Sequence, residues 1–223
     1  MNTVARKSFR TAFAAVIIGA LAVPASAVVT STWTVETYQQ FDAGDATSAF
    51  IMSTGEVRPG SDTKRTPLEG DAVWSSLRLA NGTVLLGSDA NGQVFSVNGD
   101  TKAAVVSIPG AIAVVAMAQT SDGSVWAGTM PGNKVWKIDV AGKKATPGPE
   151  LAKKKQDVET IWSLAAAGNT LYAGTGPSGK LFSITNGTVK EVFDTDDKRV
   201  TAVAVTSDGD VWFGTSERAI VFR

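Results

Sequence analysis

Asp89, Glu159 and Glu217, together with the tryptophans Trp74 and Trp162, are the side chains through which this chain has means to do chemistry. The list is short because the 223 residues contain no histidine and no cysteine. Without histidine there is no Ser-His or Cys-His pair and no His-ligated zinc or iron. Without cysteine there is no thiol nucleophile, no thiolate metal site and no disulfide framework. Carboxylate chemistry remains, as does a calcium site built from oxygen ligands, and so does ligand stacking on aromatic rings. The three acids fall near strand ends, where Asp and Glu ordinarily face solvent or cap turns. No paired carboxylates occupy equivalent inner-strand positions, which hold Leu77, Ala118, Leu164 and Ala204. No catalytic residue, metal ligand or cofactor is therefore assigned, and Trp74 and Trp162 stand as the ligand-binding candidates.

These residues are carried by a repeat. Four segments align on a glycine: TVLLGSDANGQVFSV (83–97), SVWAGTMPGNKVWKI (124–138), TLYAGTGPSGKLFSI (170–184) and DVWFGTSERAIVFR (210–223). The anchors Gly87, Gly128, Gly174 and Gly214 are 41, 46 and 40 residues apart. Each is followed by Ser88, Thr129, Thr175 or Thr215. Val94, Val135, Leu181 and Val221 recur seven positions on, and Phe95, Trp136, Phe182 and Phe222 eight positions on. Before each anchor lies another apolar segment: SSLRLA (75–80), VAMAQT (115–120), IWSLAAA (161–167) and TAVAVT (201–206). Asn81-Gly82, Asp122-Gly123, Gly168-Asn169 and Asp208-Gly209 join the two, and such pairs make tight hairpin turns because their central residues accept positive φ. AAVVSI (103–108) and VKEVF (189–193) supply a fourth strand, and KKATPG (143–148) does so less clearly.

Four antiparallel strands recurring every 40 to 46 residues predict an all-β fold, a β-propeller of four-stranded antiparallel blades. One such sheet cannot bury both faces, so blades must stack on one another. Trp126, Trp136, Trp212, Phe95, Phe182 and Phe222 then read as inter-blade core. Trp74 and Trp162 sit at the starts of first strands, where the other repeats hold Val115 or Ala116 and Thr201 or Ala202. Large aromatics present in some blades only are candidate ligand platforms, although the two lie 13 and 12 residues before their anchors.

The clearest copy, IWSLAAAGNTLYAGTGPSGKLFSI (161–184), resembles the repeats of bacterial exported propellers. The period is similar to that of tryptophan–aspartate repeats, without their Gly-His and Trp-Asp signatures. The strand rhythm is similar to that of quinoprotein-like, NHL-like and outer-membrane-assembly propellers, without a quinone-docking motif or a lipid-attachment cysteine. SDGSVW (121–126) departs from the sialidase Asp box, because Gly directly follows Asp. The resemblance implies the fold strongly and a function weakly, since propellers host unrelated activities.

The N-terminus has the pattern of an export signal. Arg6, Lys7 and Arg10 precede the apolar run TAFAAVIIGALAV (11–23), then Pro24 and the small-residue site Ala25-Ser26-Ala27. The run is too short for a transmembrane span, which needs about 20 residues. Cleavage after Ala27 removes three of 21 basic and none of 21 acidic residues, leaving a net charge of −3. The expected organisation is a signal peptide at 1–27, an N-terminal strand and degenerate first blade at 28–70, and blades at 71–223. Strands are expected near Ala49–Ser53 and Glu56–Arg58, with a lone outer strand in TWTVETYQQF (32–41). The chain stops in the third strand of a repeat. Either it is the N-terminal part of a larger propeller, which is the favoured reading, or TWTVETYQQF pairs with AIVFR and closes a five-bladed ring.

The expected product is a periplasmic or secreted protein with no membrane anchor in its mature chain. It has no basic stripe for nucleic acid; Lys153-Lys154-Lys155 reads as a solvated loop. The leading function is a non-catalytic binding or scaffold module for a protein, peptide or glycan partner. The alternative, given by resemblance to gluconolactonase-type propellers, is a calcium-dependent lactonase that uses channel carboxylates and Asn.

Overall fold

A computed structural model describes residues 48–52, 54–60, 65–68, 70 and 72–223, with the isolated positions 34, 36, 37 and 39. The signal-peptide reading with its cleavage at Ala27, and most of TWTVETYQQF, lie outside the described residues. The chain divides into two compact units, 1–63 and 64–223. In the first, β1 (Ala49–Ile51) and β2 (Val57–Pro59) form an antiparallel hairpin with Ala49 opposite Pro59.

The second unit consists of four antiparallel sheets in chain order. The first holds β3 (Val73–Arg78), β4 (Val84–Ser88), β5 (Gln93–Asn98) and β6 (Thr101–Ser107). The second holds β7 (Ala113–Gln119), β8 (Val125–Met130), β9 (Lys134–Asp139) and β10 (Lys144–Glu150). A 3-10 turn (Lys155–Asp157) leads into the third, β11 (Val158–Ala167), β12 (Thr170–Pro177), β13 (Lys180–Thr185) and β14 (Thr188–Asp194). The fourth holds β15 (Val200–Val205), β16 (Val211–Thr215) and β17 (Val221–Phe222). Each sheet is a simple meander in which sequence neighbours pair. KKATPG, the weakest of the expected strands, is a full fourth strand bulged between Pro147 and Glu150. The two prolines of β10, Pro147 and Pro149, are tolerated because an outermost strand leaves one row of backbone groups unpaired.

Local chemistry sets the hairpins. At the turn between β7 and β8, Gly123 has φ +82°, and Asp122 holds the chain around it. The Asp122 carboxylate accepts from Thr120 Oγ1 (2.6 Å), Ser124 N (3.0 Å) and Ser124 Oγ (2.9 Å). The Thr120 hydroxyl, followed by the Ser124 donors, lowers its pKa to about 2. This turn docks on its counterpart in the third sheet: Ser121 N donates to Gly168 O (2.9 Å), and Asp122 N donates to Asn169 Oδ1 (3.1 Å).

Three apolar clusters fasten the sheets face to face. Leu85, Val94 and Val105 meet Val114, Met117 and Ala127 between the first and second sheets. Ala118 and Val135 meet Ile161, Leu171 and Phe182 between the second and third. Leu181 meets Val200 and Phe213 between the third and fourth. The first strands also touch in series, β3 with β7, β7 with β11 and β11 with β15. This is the radial stacking of propeller blades, with the first strand of each innermost. Among the described residues no helix is long and apolar enough to cross a membrane.

Candidate functional site

The four innermost strands share an irregularity that no residue pattern announces. In each, one extra residue interrupts the pairing with the second strand. The breaks lie between Val73 and Ser75, Val114 and Ala116, Ile161 and Ser163, and Val200 and Ala202. The bulged residues are therefore Trp74, Val115, Trp162 and Thr201. They are structural equivalents, because the residue after each bulge pairs with the anchor: Ser75 with Gly87, Ala116 with Gly128, Ser163 with Gly174 and Ala202 with Gly214. The mismatch of 13 against 12 positions is absorbed by the hairpin turns, which are longer after Arg78 than after Ala167. The same register corrects one alignment. Leu164 lies in the row of Ser76, and it is Ala165 that shares a row with Leu77, Ala118 and Ala204. That row still contains no carboxylate.

A β-bulge bends the strand and re-aims its extra side chain. Here it does so at one end of the innermost strands, beside the loops between second and third strands. Trp74 is 48 % exposed. Trp162 is half-buried, with the Arg199 guanidinium 5.9 Å from its ring centroid. A side chain added at Gly176 would come within 2.8 Å of its Nε1. Val115 is buried and Thr201 exposed. The two tryptophans thus occupy one structural position in the first and third blades, with β7 of the second blade between their strands.

Close to the same end, a pocket of about 360 Å³ lies between the second and third blades, lined by Pro131, Gly132, Asn133, Lys134, Glu150 and Glu159. Asn133 Nδ2 donates to Ala152 O (3.2 Å), while its Oδ1 is buried with no hydrogen-bond partner. The candidate acids are spread over separate blades. Asp89 Oδ1 accepts from Ala72 N (3.1 Å) in the first. Glu159 is an exposed residue at a second bulge of β11, between Val158 and Thr160. Glu217 pairs with Lys198 (3.2 Å) in the fourth. Among the described residues no group of three or more His, Cys, Asp and Glu is placed to hold a metal ion.

The sequence did not single out Asp197. Its side chain is 2 % exposed. Thr215 Oγ1 donates to Oδ2, and Arg218 Nε donates to Oδ1 at 2.5 Å. The Thr215 hydroxyl, then Arg218, holds this carboxyl below the usual carboxylate range. The network ties the connection into β15 to the loop after β16, so it braces the fourth blade at the same end as the bulges.

Comparison with known proteins agrees with this architecture. Residues 195–217 match the family model described as the two component regulator propeller. No curated protein matches the chain in sequence. Among solved structures, virginiamycin B lyase from Staphylococcus aureus is similar at 15 % identity and TM-score 0.58, over 78 % of this chain and 61 % of that one. The extracellular domain of a protein assigned as a one-component system from B. thetaiotaomicron is similar at 14 % identity and TM-score 0.55, over 76 % of this chain and 23 % of that one. A gluconolactonase from Xanthomonas campestris is similar at 12 % identity and TM-score 0.54, over 69 % of this chain and 56 % of that one. This chain spans less than two thirds of each. At these identities the likeness shows the fold, a β-propeller of repeated blades.

Proposed function

We propose that this propeller is an exported, non-catalytic binding module whose bulged end contacts a peptide, protein or glycan through Trp74 and Trp162. The observation that carries the reading is their equivalence: two blades place a tryptophan on the bulge where the other two place valine and threonine. A packing role alone would not require an indole that is 48 % exposed. Aromatic anchors combine large contact area with few rotatable bonds, which suits sugar faces and extended peptides. The Arg199 guanidinium supplies a polar group beside Trp162 at the same end. The bacterial extracellular domain among the similar structures agrees with export, as does the signal pattern at 1–27.

Peptide and oligosaccharide arrays probed with the purified chain test this reading. Ligands that bind are expected to lose affinity on the order of thirtyfold in the Trp74→Ala/Trp162→Ala variant, the usual cost of removing an aromatic hot spot. Circular dichroism would confirm that the variant keeps its fold. Unchanged binding, or stoichiometric calcium in the purified chain with hydrolysis of a sugar lactone, would overturn it.

A further inference from the structure

Three positions recur at each seam between blades: the bulged residue, the residue two past the anchor glycine, and the residue that precedes the interface valine or isoleucine of the next blade. At the first seam they are Trp74, Asp89 and Ala113, and at the second Val115, Met130 and Thr160. At the third they are Trp162, Gly176 and Arg199. Among the described residues, only this third seam joins an indole to a cation.

Gly176 makes the room for both side chains. A Cβ built there would stand 2.8 Å from Trp162 Nε1 and 3.0 Å from Arg199 Cγ. The backbone that carries Arg199 is held at three consecutive carbonyls. Gly179 N donates to Lys198 O (2.9 Å), Ser216 N to Arg199 O (3.0 Å) and Ser163 Oγ to Val200 O (3.4 Å). The arginine stem is thus fixed on rigid chain, with its guanidinium at cation–π distance from the indole.

The positive charge has no acid to match it. Among the described residues no carboxylate lies within ion-pair distance of Arg199, whereas the cations around it are matched. Lys198 pairs with Glu217 (3.2 Å), Arg218 with Asp197, and Lys180 with Glu191 (2.9 Å) and Asp194 (3.3 Å). Among the same residues the Trp162 Nε1–H meets no acceptor and is not one of the buried unpartnered groups, so water reaches it.

We infer that Trp162, Gly176 and Arg199 form a notch for a carboxylate side chain of an acidic peptide segment, which rests on the binding reading above and names the chemistry of its partner. The guanidinium fork takes a carboxylate bidentately. The indole N–H is a third donor, and the ring supports an apolar neighbour of the acid. One unmatched cation suits one carboxylate; a phosphate is met by clustered arginines. A sugar ring needs hydroxyl partners on several sides, and here Ser163 is buried and spent on Val200 O.

A library of short fluorescent peptides titrated against the full chain tests this, with oligohexuronates and neutral hexose oligomers as separate arms. The parent chain is expected to select peptides with Asp or Glu beside an apolar residue, and to bind their Asn or Gln counterparts about tenfold more weakly, the scale of one charged hydrogen bond. Arg199→Gln is expected to abolish that preference, and Arg199→Lys, which keeps the charge without the fork, to retain part of it. Arg199 is exposed, so both variants are expected to keep the circular dichroism of the parent. Peptides that need Trp162 but show no preference for acid, or whose preference survives Arg199→Gln, would overturn the notch and leave the binding reading standing. Selection of hexuronates over every acidic peptide would overturn the peptide partner. No binding in any arm would overturn the notch and the binding reading together.

Discussion

At the scale of single residues, hydroxyls following the anchor glycines tie down the loops after the second strands. Ser88 Oγ donates to Gln93 O (3.2 Å), Thr129 Oγ1 to Pro131 O (3.0 Å) and Thr175 Oγ1 to Lys180 O (2.8 Å). Thr215 Oγ1 lies 3.3 Å from Ile220 O in the same way, but its single proton goes to the buried Asp197 carboxylate. A carboxyl whose pKa is lower folded than unfolded contributes stability above its unfolded pKa, and that contribution is lost as pH falls through the folded value. The melting temperature of the parent chain is therefore expected to fall more steeply than that of Asp197→Asn between about pH 5 and pH 2. The two curves should converge in acid and separate near neutrality, with the parent more stable. Thermal melts across that range check it; parallel curves would remove Asp197 from the account. The recurring Ser/Thr was visible in the sequence, but its partner was not. Asp197 lies in DTDDK (194–198) beside Asp194 and Asp196, and only the fold decides which of three neighbouring carboxylates turns inward.

At the scale of elements, the glycine anchors and hairpin pairs located the strands, and the bulges escaped notice. A bulge adds one residue to an innermost strand without changing its apolar character, so periodicity cannot register it. Counting back from the glycine carried the count across turns of unequal length, which separated Trp74 from Trp162 by one position and misplaced Leu164. Counting from the bulge restores both. The glycine itself was legible as a site of close approach, and its partner is now specific. Gly174 faces Val200 O at 2.7 Å from a built Cβ, and a backbone atom cannot move aside as a flexible side chain can. Gly174→Val is accordingly expected to destabilise the fold by about 1–3 kcal/mol or more. Denaturant unfolding measures this, and an unchanged midpoint would contradict the packing assigned to the third and fourth blades.

At the scale of the whole blade array, stability should be graded along the chain. Repeats that touch only their neighbours have stabilities set by their own sheet and the interfaces on either side. The clusters between the first and second blades and between the second and third contain ten and nine buried residues, whereas that between the third and fourth contains three. Phe193, Phe213 and Phe222 reinforce the last interface, with centroids 4.9 to 5.4 Å apart, but Phe193 is partly in water. Among the described residues, the second and third blades are covered on both faces by other blades and the fourth on one. Local opening follows the least buried contacts, so amide hydrogen exchange is expected to be slowest in β7, β8, β11 and β12 and fastest in β15, β16 and β17. Equal protection across all four blades would mean that the array opens as a single cooperative unit and that the small third cluster is not its weak point.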